Sequence, residues 1–322
     1  MKPVKSAAEI KPTHAMAAYG GEGWAPRETS LRNEIGTIWG QCGISNEWST
    51  LKAVLLHRPD RELTASHDAN EVQMLAQVDI EKAQQQHDAV AQTYTQSGVA
   101  VHYIDPSEAA LPNQMFVADL FFMTPEGAIL GRPASTIRAG EERSVARRLA
   151  ALGIPILCSV RGQGTFEGAD ALWLDQRTVM LARGLRTNID GAAQVTAILN
   201  QMGITVIPVD LPYGTMHLMG VLRFADHDLA LVWPQRLAYT AVETLRRLGY
   251  QVYFLPHENE AVNGFALNFV TLGPRSILMP AGNPMTQQFY EDLGITCHSV
   301  AADELAKAAG AIGCLSGILE RE

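Results

Sequence analysis

Apolar residues in this chain fall into short runs of strand length, closed by Gly, Pro or Asp, and the runs alternate with longer stretches of helical period. GAILGRP from Gly127, RTVMLARG from Arg177, DLALVWP from Asp228 and RSILMPAG from Arg275 are too short and too rich in Ile, Leu and Val for helices. Each follows another apolar run across turn residues such as Pro125, Gly127, Asp226 and Pro274, which predicts a hairpin. EERSVARRLAALG from Glu141 and YTAVETLRRLG from Tyr239 carry apolar residues at mixed three and four spacings, which predicts helices, and Gly153, Gly203 and Gly249 end three such stretches. A third strand then follows each time, as IPILCSV, ITVIPVDL, YQVYFLP and ITCHSV. The unit is strand, strand, helix, strand.

The unit repeats. QMFVADLFFM, GTFEGADALWL, YGTMHLMGVLRF and NGFALNFVTLG align without a gap and place Phe116, Phe166, Met216 and Ala266 at one position, at intervals of 50 residues. Four complete units occupy about 115–300, and a fragment lies at each end. At the front, LKAVLLHRP reads as a second strand, EVQMLAQVDIEKAQQQHDAVAQTYTQSG as the helix and VAVHYI as the third strand, with no first strand before them. At the back, IGCLSGIL (312–319) reads as a first strand with nothing after it. Joining the two fragments completes a fifth unit and removes two exposed sheet edges. The expectation is an α/β fold, a closed five-bladed pseudo-symmetric propeller. It forms a single domain over 49–322, with the first blade closed by 312–319 and an N-terminal extension over 1–48, in which YGGEGWAPRETS reads as a loop.

Composition narrows the function classes. Of 322 residues, 47% are hydrophobic and 18% charged, the balance of a chain that buries a large core rather than of a disordered one. Twenty-five Lys and Arg against 34 Asp and Glu leave a net charge of −9, the wrong sign for nucleic-acid or anionic-membrane partners and compatible with a cationic ligand. The first residues lack an apolar signal core and no uninterrupted apolar stretch approaches a membrane span, so a cytoplasmic protein is expected. Cys42, Cys158, Cys297 and Cys314 stand far apart without a CxxC spacing, which predicts free thiols and no zinc cage.

Equivalent positions in a ring of repeats converge on one end of its axis, so the first strands are read together. They offer Asp119, Glu167, Asp170, His217, Asn268 and Cys314 on otherwise apolar segments, where such groups are unfavourable to bury unless paired or used. The order FVAD, FEGAD, MHLM and a C-terminal Gly-Cys-Leu-Ser resembles the guanidine-modifying superfamily, the penteins. These include arginine deiminases, dimethylarginine dimethylaminohydrolases and amidinotransferases. The resemblance runs from WSTLKAVLLHRPD to the C-terminus. It implies that Cys314 is the nucleophile, His217 the general acid and base, Glu167 the acidic partner of His217, and Asp119 a guanidinium ligand, with Asp170 bordering the site. Arg138 and Arg186 match, more loosely, arginines that take a substrate α-carboxylate, and Asn268 is grouped with the substrate-binding residues.

The chemistry calls for these residue types. A guanidinium carbon is planar, cationic and resonance-stabilised, so attack on it favours a thiolate. Carboxylates hold the cation by paired hydrogen bonds, and a histidine can protonate the departing nitrogen and then deprotonate the incoming water or amine. Two departures from the deiminase pattern stand out. Met219 replaces an Asp two residues after the histidine, and Ala118 replaces the Arg that often precedes the first-motif Asp. An apolar Met219 favours an alkylated guanidine nitrogen over free arginine.

The expected function is therefore a cysteine-dependent hydrolase of an arginine-like or N-substituted guanidine, acting through an amidino-thioether. Transfer of the amidino group to an amine is the alternative. A non-catalytic binding ring is a third reading, opposed by the joint presence of Cys314, His217 and Glu167. RGQGTFEG runs into a strand rather than opening a helix, and His67-Asp68 and His87-Asp88 lack further ligands, so neither phosphate binding nor a metal or other cofactor is expected. The other cysteines, with His57, His102, His227 and His298, read as packing or surface residues. A small cationic guanidine is the expected partner, and a homo-oligomer is compatible with these patterns.

Overall fold

Five hairpins, each extended by a parallel third strand, make five separate three-stranded sheets in the computed structural model, which describes residues 24–104 and 110–322. The start of YGGEGWAPRETS lies outside the described residues. In chain order the complete sheets are β3 (Phe121–Thr124), β4 (Gly127–Leu130) and β5 (Ile156–Ser159); β6 (Ala171–Asp175), β7 (Thr178–Arg183) and β8 (Thr205–Asp210); β9 (Leu222–Asp226), β10 (Leu229–Val232) and β11 (Gln251–Phe254); and β12 (Val270–Gly273), β13 (Ser276–Pro280) and β14 (Thr296–Val300). The remaining sheet joins both ends of the chain. Here β1 (Leu51–Leu56) lies between β2 (Ala100–Tyr103), parallel to it, and β15 (Gly317–Arg321), antiparallel to it with Val54 opposite Ile318. The sheets stand as propeller blades rather than as one closed barrel.

Burial runs across each blade. First and second strands are almost wholly buried, as in β3, β4, β9 and β10, whereas the third strands β2, β5 and β11 are exposed at both ends. First strands therefore line the axis and third strands face outward, and this explains why the former read as continuous apolar runs. The helices Glu141–Ala151, Ile189–Gln201, Tyr239–Arg247 and Pro284–Asp292 each cross from a second strand to its third. Apolar clusters fill the spaces between blades, with Trp173, Phe166 and Tyr94 fully buried.

Two sequence expectations change. The segment from Glu71 to Gly98 is not one helix: a tight turn covers Ala69–Val72, and the helix spans Ile80–Gln96 because the Asp79 side chain accepts from the Lys82 amide and caps it there. Nor is 312–319 one strand. Ile312–Leu315 is a helical turn, closed by Leu315 N–H donating to the Ala311 carbonyl, and pairing with β1 begins at Gly317. The same holds in other blades, where the turns Val117–Asp119, Gly168–Asp170 and Leu218–Gly220 precede β3, β6 and β9. A strand would alternate its side chains between faces, whereas these turns let polar groups gather at one end of the axis.

The extension is tied to the ring. Gly43 N–H donates to the Leu319 carbonyl, Arg321 N–H donates to the Gly43 carbonyl, and Cys42 and Ile44 enter the same core as Leu319. All four cysteines are free thiols. No helix among the described residues is long and apolar enough to cross a membrane.

The turn Gly168–Asp170 fits only because its first residue has no side chain: a Cβ on Gly168 would lie 2.1 Å from the Phe121 carbonyl oxygen and 2.6 Å from that of Ala118. Gly168→Ala is expected to lower stability by about 2 to 3 kcal/mol. Gly220→Ala, whose Cβ meets nothing within 4 Å, should cost less than about 1 kcal/mol. Chemical denaturation of the two variants compares them directly.

Candidate active site

The turns bring Asp119, Glu167, His217 and Cys314 to one end of the axis from four different blades. All four are buried, with relative exposures of 3%, 0%, 4% and 8%. His217 and Glu167 occupy the same repeat position 50 residues apart, and the His217 Nε2 lies 2.6 Å from Glu167 Oε2. Asp119 Oδ1 is 3.7 Å from the same imidazole nitrogen and has no hydrogen-bond partner. Burial alone would lower the histidine pKa, but the Asp119 and Glu167 charges and the Glu167 hydrogen bond outweigh it and raise His217 to about 9. Burial likewise opposes ionisation of Glu167, yet its contact with His217, helped by Arg138 and Arg186, lowers it to about 2. The two form an imidazolium–carboxylate pair at neutral pH.

Cys314 sits in the terminal helical turn. Asn268 Nδ2 donates to its Sγ at 3.0 Å, and Asn268 Oδ1 accepts from the Cys314 amide at 3.2 Å. Asn268 therefore holds the Cys314 thiol and amide while also lining the cavity. Burial pushes the thiol pKa up and the charge of Asp119 adds to that, while the Asn268 hydrogen bond and the Arg223 guanidinium pull the other way.

Arg138 departs from its expected place. It is 3% exposed, its Nη1 lies 2.6 Å from Asp119 Oδ2 and 3.5 Å from Glu167 Oε2, and its Nη2 lies 2.8 Å from Glu141. A guanidinium filled by three carboxylates has no fork left for a substrate carboxylate; it holds the acids in position instead. Arg186, more exposed, reaches Glu167 Oε1 at 3.4 Å and borders the cavity. Asp170 is fully buried and does not border the cavity. It accepts from Thr187 Oγ1 at 2.7 Å and from the Leu218 amide at 3.1 Å, and so fixes the turn that carries His217. Burial raises its pKa to about 6.

The cavity has two lobes that meet at Cys314, His217, Met216 and Ala309. The polar lobe, about 30 Å³, is lined by Asp119, Arg138, Arg186, Gln73 and Asn113. The apolar lobe, about 230 Å³, is lined by Met219, Val221, Trp233, Val262, Phe265 and Leu267, with the Arg236 guanidinium stacked 4.5 Å over Trp233. Met219 thus stands in the apolar lobe beside Cys314.

Asp119, Glu167 and His217 could in geometry hold a cation, as their donor atoms lie within 4.8 Å of one another. Arg138 already supplies the positive charge between the two acids, and His217 the second, so the donors fit guanidinium and imidazolium better than a divalent ion. The trio Asp226, His227 and Asp228, in which only His227 is exposed, is likewise countered by Arg275. Thr187, Gln73 and Arg236 escaped sequence reasoning because they lie outside the repeat motifs, on connections whose path the pattern does not specify, and Trp233 because it reads as packing at the end of the run DLALVWP. Arg223, a lone charge in the apolar run VLRF, carried a readable signal.

Five strand-strand-helix-strand blades around a buried acid, histidine and thiol cluster define a pentein. The chain belongs to the N,N-dimethylarginine dimethylhydrolase family, whose eukaryotic sequence model matches residues 60–311. Among its relatives, an N(G),N(G)-dimethylarginine dimethylaminohydrolase of Pseudomonas aeruginosa is 26% identical over 269 residues, covering 82% of this chain and 98% of the relative. Its counterpart in Streptomyces coelicolor is 28% identical over 271 residues, 82% of this chain and 96% of the relative. In three dimensions the Pseudomonas aeruginosa enzyme complexed with citrulline superposes with a TM-score of 0.71 at 24% identity, covering 85% of this chain and all (100%) of the enzyme. The amidinotransferase SxtG of Microseira wollei gives 0.72 at 15% identity, covering 87% and 97%.

The histidine pair makes two linked expectations. NMR of the His217 ring should show titration well above the ordinary histidine range, and Glu167→Gln should move it down by more than about one unit. A raised histidine pKa adds stability that is full below the unfolded value near 6.5 and disappears as pH climbs to about 9. The melting-temperature gap between wild type and Glu167→Gln should therefore narrow from pH 6.5 to 9.

Proposed function

We propose that this protein hydrolyses the C–N bond of an N-substituted guanidine through a covalent intermediate on Cys314, with 49–322 as its catalytic domain. The observation that carries the reading is the unpartnered, buried Asp119 Oδ1 in a small polar lobe shared with Cys314 and His217. A guanidinium N–H supplies the donor that this oxygen lacks. Kinship with enzymes named as dimethylarginine dimethylaminohydrolases supports hydrolysis.

In this reading the resting thiol is neutral, because burial and Asp119 both disfavour its charge. An arriving guanidinium offsets Asp119 and so favours loss of the thiol proton to water, which leaves the thiolate beside it. The thiolate adds to the guanidinium carbon, and the tetrahedral adduct collapses as the His217 imidazolium gives its proton to the departing amine. The amidino-thioether remains. Neutral His217 then takes a proton from water as the water oxygen adds to the same carbon. Loss of the Cys314 sulfur leaves a ureido product and a free thiol, with Glu167 supporting each imidazolium state. Arg186, at the edge of the polar lobe, serves a substrate carboxylate. Amidino transfer uses the same first half-reaction, and the likeness in fold to an amidinotransferase keeps it as the second reading.

Cys314→Ala should abolish turnover and leave the fold intact, and mass spectrometry of quenched wild type should show an amidino adduct on the Cys314 peptide. Normal turnover by the alanine variant would remove the mechanism. Product masses with and without added amines separate hydrolysis from transfer.

Specificity should follow Met219, which gives a bare guanidine NH₂ no acceptor. Losing one such hydrogen bond costs roughly 1 to 3 kcal/mol, about a five- to 150-fold preference in kcat/KM for an N-alkylated guanidine over arginine. Met219→Asp should move the ratio back toward arginine; an unchanged ratio would show that Met219 does not face substrate.

A further inference from the structure

Beneath the active-site turns lies a second cavity on the ring axis, with about 60 Å³ of room. First strands of all five blades line it, through Phe122 on β3, Leu172 on β6, Arg223 on β9, Thr271 on β12 and Arg321 on β15. One water needs about 10 to 15 Å³ measured in this way, so the space admits several waters or a small ion with water. Its walls are apolar except for Glu47, Arg223, Arg321, Thr271 and Ser316.

The charges in it do not balance. Arg223 and Arg321 are each 9% exposed, against a single lining acid, Glu47. Arg223 Nε makes a long contact of 3.4 Å to the Leu267 carbonyl, and its Nη2 has no partner. Arg321 Nη1 donates to the Ser49 carbonyl at 2.7 Å, and its Nε has no partner. Glu47 meanwhile accepts from the Trp173 amide at 3.0 Å. A buried guanidinium N–H without an acceptor is strongly unfavourable, and here two of them share one cavity.

We propose that this axial cavity is a binding site for a small monovalent anion of chloride size, accepted by the free N–H groups of Arg223 and Arg321. Two guanidiniums and one carboxylate leave one positive charge, which one such anion neutralises. Burial lowers the pKa of Arg321 only to about 10, so it stays charged at neutral pH. The apolar walls and limited room exclude nucleotides and other large anions.

The test is crystallographic and independent of any reading of the active site. Crystals grown in sodium bromide should show a bromine anomalous peak beside Arg223 and Arg321. In solution, chloride or bromide should raise the melting temperature saturably relative to gluconate, too large for the cavity, at equal ionic strength. Arg321→Gln should weaken the halide response at least tenfold. Glu47→Gln, which removes the competing negative charge, should strengthen it, and this opposite shift remains readable if the arginine variant folds poorly. A cavity holding water only, with no anomalous peak, or melting temperatures equal in chloride and gluconate, would overturn the proposal.

Discussion

Taking charge out of water at the axis is the constraint around which the molecule is organised. Asp119, Glu167 and Glu141 are all buried, and each is countered by Arg138 or His217. An uncompensated buried carboxylate would neutralise or destabilise the fold. Arg138 therefore acts as the fixed cation of the network, and this explains why a residue that resembles a substrate ligand on paper is locked inside the protein. Two oxygens of the network, Asp119 Oδ1 and Glu141 Oε1, have no hydrogen-bond partner, and of these two acids Asp119 lines the polar lobe.

Much of this was legible in the residues. Strand, helix and closure patterns follow from apolar period, and the 50-residue spacing of Glu167 and His217 becomes a direct contact. The misreadings share a cause. FVAD, FEGAD and IGCLS look like strand because their apolar residues are continuous, yet local carbonyl contacts wind them into turns before pairing begins. No one-dimensional pattern shows that the Asn268 amide spans to Cys314, 46 residues away. The contacts of Arg138 are hidden for the same reason: its three carboxylates come from different parts of the chain.

The two lobes divide recognition from accommodation. Charges and amides crowd the small lobe, through Asp119, Arg138, Arg186, Gln73 and Asn113. The larger lobe offers Met219, Phe265 and Leu267, which accept variation in shape at little cost. Arg236, stacked on Trp233, adds a second charge beside that of His217 to a wall that is otherwise mostly apolar.

Ring closure also has a temporal side. Cys314 lies eight residues from the C-terminus, and the strand after it pairs with β1, which was made more than 260 residues earlier. Asp119, Glu167 and His217 precede Cys314 and β15 in the chain, so the thiol joins the other three groups only as β15 closes onto β1. Contacts this distant form slowly. Closing the ring and completing the pocket are thus one event, since the segment that shuts the sheet also delivers the thiol.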